Sequence, residues 1–107
     1  MRRSVFAGLL VAALFGIAAA AQSKPTPTDI KIDNFTFGPS ELKVPVGATV
    51  TWTNRDDIPH TVVSSDKAFK SKVLDTDEKF AFTFTTAGRF PYFCSIHPKM
   101  TGTVIVQ

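Results

Sequence analysis

Cysteine is almost absent: Cys94 is the only one in 107 residues. No disulfide can form within the chain, so the fold is not stapled by one. Histidine is nearly as scarce, with only His60 and His97, and the methionines are Met1 and Met100. A centre that needs several histidines has no material here. Charged residues make up only 20% of the chain and apolar ones 44%, which excludes a solvated disordered tail. No stretch combines a sustained helical period with caps, and there is no repeat or low-complexity tract. Domains cluster at ~100–150 residues, so the length allows one.

The N-terminus carries a leader. Arg2 and Arg3 form a positive start, Val5 to Ile17 an apolar run, and Ala18 to Ala21 a small-residue cleavage site before Gln22. These are the marks of a secretory signal peptide over residues 1–21. A spanning helix needs ~20 apolar residues, so no stable membrane anchor is expected. Ser4-Val5-Phe6 fits a twin-arginine signal poorly, which favours the general secretory route. Export to the periplasm is the expected destination. Loss of Arg2 and Arg3 leaves ten basic residues against nine acidic ones, lowering the formal charge from +3 to +1. No basic cluster remains, which argues against nucleic acid as a partner.

Residues 22–28 contain two prolines among small polar residues and read as a flexible lead-in. From residue 29 to 107 the pattern has period 2. Ile30 and Ile32 alternate with Lys31 and Asp33; Phe35 and Phe37 continue the run to a turn at Gly38-Pro39. Leu42, Val44 and Val46 alternate next, with Pro45 marking an edge or a bulge. Val50 and Trp52 resume after Gly47. Residues 54–59 form a turn cluster, His60 to Val63 a short strand, and residues 64–72 a loop anchored by Phe69. Phe80, Phe82 and Phe84 share one strand face; Phe90, Tyr92 and Cys94 share another. Gly102 precedes a last strand, Thr103 to Val106. Seven to eight short strands at close spacing predict an all-β sandwich.

The chemistry is concentrated in Cys94-Ser95-Ile96-His97-Pro98-Lys99-Met100. A thiol, an imidazole and a thioether recur every third residue on a tight loop leaving a strand. His60 is the one other soft ligand of the mature chain. Two histidines and one cysteine, with methionine as a weak axial fourth, is the donor set of a blue-copper site. Thiolate and thioether favour Cu(I), and imidazole suits both oxidation states. Structural zinc takes four Cys or His ligands, and only three exist here. Taken singly, Cys94 would be a small core residue, each histidine a hydrogen-bonded surface residue and Met100 core filler. Together they account for every soft ligand of the mature chain.

Val44 to Val62, with Trp52-Thr53-Asn54 and Ile58-Pro59-His60-Thr61, resembles the first ligand region of the plastocyanin/azurin family of cupredoxins. Phe90 to Val104 resembles the second, and Cys-x2-His-x2-Met has the spacing of the short amicyanin loop. The resemblance covers residues 29–107. It implies a Greek-key β-sandwich of seven to eight strands with one copper ion near one end, cycling between Cu(II) and Cu(I), with His60, Cys94 and His97 as equatorial ligands and Met100 as the axial one. Thr61 stands where the family usually has Asn to tie the two ligand loops, so either its hydroxyl substitutes or the link is weaker. Ile96 replaces a common Pro, Lys99 replaces an aromatic residue, and Phe93 replaces the tyrosine that precedes the cysteine in plastocyanin. The resemblance also suggests that His97 can protonate and leave reduced copper.

The expected function is one-electron carriage by a monomer. Redox proteins of dehydrogenase or cytochrome type would dock near His97, beside an apolar rim of Ile58, Pro59, Ile96 and Pro98. His60 should be buried. Copper delivery is the alternative, but the extra methionines of an open carrier site are missing. An enzyme is not expected: a cysteine hydrolase would need a cleft and an orienting group.

Overall fold

The computed structural model describes residues 28–107. The expected leader, and all but the last residue of the lead-in, lie outside them. Eight strands form: β1 (Asp29–Asp33), β2 (Thr36–Gly38), β3 (Glu41–Val44), β4 (Thr49–Asn54), β5 (Val63–Ser64), β6 (Lys79–Thr83), β7 (Gly88–Phe93) and β8 (Thr101–Val106). They make two four-stranded sheets, β2-β1-β4-β6 and β3-β8-β7-β5. The pairs β1–β4 and β3–β8 are parallel and the others antiparallel, and the chain passes from one sheet to the other five times. No helix among the described residues is long and apolar enough to cross a membrane.

Alternation builds the interior. Ile30, Ile32, Val50 and Trp52 point inward from one sheet; Leu42, Val44, Tyr92, Val104 and Val106 do so from the other. Each fully buried branched or aromatic side chain contributes about 1.5–3 kcal/mol relative to exposure. Trp52 lies at the centre. Its ring packs edge-on to Tyr92 at 5.3 Å and tilted against Phe69 and Phe80 at 5.5 and 5.6 Å. Pro45 directly follows edge strand β3, where a missing N–H costs no ladder bond.

Three expectations are corrected. His60 is not in a strand: it makes one isolated bridge to Leu74, and β5 shrinks to Val63–Ser64. Phe35 does not continue a strand. Asn34 and Phe35, with φ of 52° and 61°, form the two-residue turn between β1 and β2. A right-twisted hairpin wants a turn with both central residues at positive φ, and tertiary contacts override the poor fit of Phe. Gly102 lies inside β8 rather than before it, paired with Tyr92.

That pairing explains the glycine. A Cβ on Gly102 would collide with the Tyr92 ring and hydroxyl. The phenol is thereby sealed in. Among the described residues, neither Tyr92 Oη nor Trp52 Nε1 has a hydrogen-bond partner. Burial pushes the phenol up to about 12 from its ordinary 10.0. The folded state therefore resists ionisation that the unfolded chain accepts. The contribution is constant below pH 10.0 and is lost as pH rises from there towards about 12. The slope is about 1.4 kcal/mol per pH unit. Denaturant unfolding between pH 8 and 12 should show this loss in wild type and not in Tyr92→Phe. The variant should also be no less stable at neutral pH, because an unsatisfied buried hydroxyl has gone. An identical alkaline slope in both proteins would contradict the assignment.

Candidate metal centre

Two loops at one end of the sandwich supply the site. The first runs from the end of β4 to β5. Asn54, fully buried, shapes it: its side-chain amide donates to the Ile58 and Leu74 carbonyls, both at 2.9 Å, and its Oδ1 accepts the Asp56 N–H. His60 is held in turn by paired backbone bonds with Leu74. The second loop joins β7 to β8. The Cys94 N–H donates to the Met100 carbonyl at 3.1 Å, and the His97 and Met100 N–H groups close successive four-residue turns on the Cys94 and His97 carbonyls. This tight closure gathers the side chains of Cys94, His97 and Met100 into one short loop.

The ligand atoms of His60, Cys94 and His97 all lie within 4.8 Å of one another. Both imidazoles turn Nδ1 towards the Cys94 sulfur, at 3.8 Å for His60 and 3.7 Å for His97. Three atoms in a plane around a metal, bonded at roughly 2.0–2.3 Å, would sit about 3.5–4 Å apart. The sulfur–nitrogen separations match. His60 and Cys94 are fully enclosed, Met100 is buried beside them and His97 is half-buried.

Known proteins share this arrangement's sequence and fold. The family model of the cupredoxin-like domain matches residues 6–106. Amicyanin of Paracoccus denitrificans is 32% identical over 124 residues, covering 98% of this chain and 95% of that one. The chain belongs to the cupredoxin family. The structure of a purple cupredoxin from Nitrosopumilus maritimus superposes with a TM-score of 0.74 at 36% identity, covering 76% of this chain and all of the other. A copper-containing nitrite reductase from Thermus scotoductus superposes at 0.71 and 32% identity over 83% of this chain, which spans only 24% of that enzyme.

Copper suits the donor set of this cupredoxin: one thiolate and two imidazoles converge, with a thioether on the same loop. Burial pushes the Cys94 thiol up, but hydrogen bonds to the sulfur, led by that from the Thr61 N–H, outweigh it and hold it below the ordinary thiol range. Metal binds thiolate, so the fold has already favoured the ligating form.

Of the two alternatives at Thr61, the structure shows the hydroxyl taking the place of the usual Asn. Its hydroxyl accepts the Ser95 N–H at 2.7 Å and lies 2.8 Å from Ser95 Oγ and 3.7 Å from the Cys94 sulfur. With one proton and two lone pairs, it can give its proton to sulfur while accepting from both Ser95 groups. Its backbone N–H approaches the sulfur as well, at 3.4 Å. One residue after the first histidine thus ties the two ligand loops together.

Two contributors are absent from the sequence-based site. Asp56 Oδ2 lies 2.9 Å from His60 Nε2. That bond, followed by one from the Phe35 N–H, holds its carboxyl below the usual carboxylate range. Phe35 itself stands edge-on to both imidazoles, with ring centroids 5.7 Å from His60 and 5.0 Å from His97. The acid four residues before His60 was a readable signal. Nothing in the alternation distinguished Phe35 from its buried neighbours.

Thr61→Val keeps the shape and removes the hydroxyl. The Ser95 N–H loses its acceptor, and the protein should lose about 1–2 kcal/mol of stability. Withdrawal of a hydrogen bond from sulfur should lower the reduction potential of the copper-loaded protein, with Thr61→Ser restoring it. Unfolding curves and voltammetry of the three proteins check both effects. Equal potentials would show that the hydroxyl does not act on the sulfur.

Proposed function

We propose that this cupredoxin is a one-electron carrier, with copper held by His60, Cys94 and His97 and capped by Met100. The bound ion supplies the Cu(II)/Cu(I) couple. The observation that carries this reading is the sealed triad: two imidazoles and a thiolate at coordinating separations, with only His97 reaching the surface. Every ligand is anchored by backbone or side-chain bonds in the protein alone. Such a frame resists rearrangement when charge changes, which suits fast electron exchange.

His97 gives the electron its shortest way out. Beside it stand Phe35 (47% exposed), Ile96 (45% exposed) and exposed Pro98, with exposed Pro59 next to His60 in the chain. Ile58 is half-buried at the edge of this rim. A small apolar rim supports brief docking rather than a permanent complex. Exposed Lys99 biases the choice towards partners with an acidic rim, such as a dehydrogenase or a cytochrome. Both histidines of the chain are committed to one centre. A second metal site of the kind a copper enzyme uses would need more, which favours a carrier over an enzyme. The leader at residues 1–21 supports export, and a periplasmic monomer fits a protein that alternates between partners.

Adding Cu(II) to the protein should give an intense blue absorption and a narrow copper hyperfine splitting, the signature of a Cys94 thiolate–copper bond. Voltammetry should then be reversible, and Cys94→Ser should abolish the colour. A colourless product would overturn the site. A blue product that surrenders copper to a chelator as fast as free ligand exchange would point to delivery instead of electron carriage.

A further inference from the structure

The carboxylate of Asp56 touches both sides of the metal centre. Its Oδ2 lies 2.9 Å from His60 Nε2 and accepts the Phe35 N–H at 3.1 Å. Oδ1 accepts the Asp57 N–H at 3.1 Å. The backbone of Asp56 is fixed too, by Asn54 Oδ1 on its N–H and by the Thr76 hydroxyl on its carbonyl. The carboxylate is therefore aimed, not merely nearby.

Its two partners are unusual in their own right. His60 is fully buried, and Asp56 is the hydrogen-bond partner of its Nε2, while Nδ1 faces the Cys94 sulfur. An ionised carboxylate only accepts, so Nε2 must carry the proton and Nδ1 must be bare. That is the tautomer a metal needs. Phe35 holds φ at 61°, a left-handed conformation that strains a bulky residue. Glycine would occupy this turn position without strain. Phe35 instead presents its ring, nearly perpendicular to both imidazoles, at the outer side of the pair. The same oxygen that orients the inner ligand anchors the backbone of the residue that covers both.

We infer that Asp56 is a positioning residue that builds two walls of the copper site with one oxygen, fixing His60 as its Nε2–H tautomer and pinning the Asn34–Phe35 turn so that Phe35 covers both imidazoles. The inference rests on the copper-site reading. It makes the β1–β2 hairpin part of the metal centre, although the hairpin supplies no ligand. Copper leaves more slowly because both walls must move.

Four proteins test this: wild type, Asp56→Ala, Asp56→Asn and Phe35→Gly. Nitrogen-15 NMR of the copper-free proteins reads the His60 tautomer directly. Wild type should show a protonated Nε2 and a bare Nδ1. Asp56→Ala should show a mixture, and Asp56→Asn, whose amide oxygen can take the place of Oδ2, should retain the wild-type form. Copper release to a chelator should accelerate about 10- to 100-fold in Asp56→Ala. Phe35→Gly should fold at least as stably, keep the His60 tautomer and still release copper faster than wild type. An unchanged tautomer in Asp56→Ala would overturn the inner wall. An unchanged release rate in Phe35→Gly, which keeps the test alive if Asp56→Ala does not fold, would overturn the outer one. If wild type takes up no copper, the copper reading fails, while the tautomer measurement still decides what Asp56 does to His60.

Discussion

The contact between Thr61 and the Cys94–Ser95 segment is the point on which the centre depends. It joins parts of the chain more than thirty residues apart and does so at the metal-binding sulfur itself. The first histidine loop would otherwise meet the cysteine loop only through side chains. Here a backbone N–H and a hydroxyl face the sulfur, and the same hydroxyl is held by Ser95. Position and charge are set together: the donors that fix the geometry also favour the thiolate. A buried polar network is worth having only when it is fully satisfied, and every atom of this one has a partner.

Behind that contact the sandwich acts as a rigid base. Trp52, Tyr92 and Phe69 pack between the sheets, and β7 leads straight from Tyr92 to Cys94, so the aromatic core sets where the sulfur enters the loop. Gly102 is the cost of that packing, since Tyr92 occupies the place of its missing side chain. On the outer side, Asp56 and the β1–β2 turn enclose the imidazoles. The core holds one face of the centre, and a strained hairpin covers the other.

Much of this was legible in the residues. Strict alternation revealed the strands, since one sheet face is buried and the period is 2. Scarcity revealed the ligands: a chain with two histidines and one cysteine has few ways to place them, and Cys94-x2-His97-x2-Met100 concentrates three donors on one loop. Thr61 was legible by comparison with the Asn usual at its position. The rest depended on tertiary context. Phe35 has the composition of a core strand residue, and only the pairing of Asp33 with Thr36 shows that it must turn the corner. His60 looked like a strand residue because Thr, Val and Val follow it. Its partner is in fact Leu74, in a segment with no strand pattern. Asp56 looked like one more polar residue in a turn cluster, since charge alone does not say which way a carboxylate points.

The central claim is that the fold assembles the ligand set before metal arrives. Crystal structures of the copper-free and Cu(II)-loaded protein at neutral pH test it most directly. The account predicts that His60, Cys94 and His97 keep their side-chain orientations between the two. It also predicts that the Thr61 N–H stays on the sulfur and the Ser95 N–H on the Thr61 hydroxyl. Rotated imidazoles, or a loop from residue 94 to 100 that opens without copper, would show that the metal builds the site and would contradict the account.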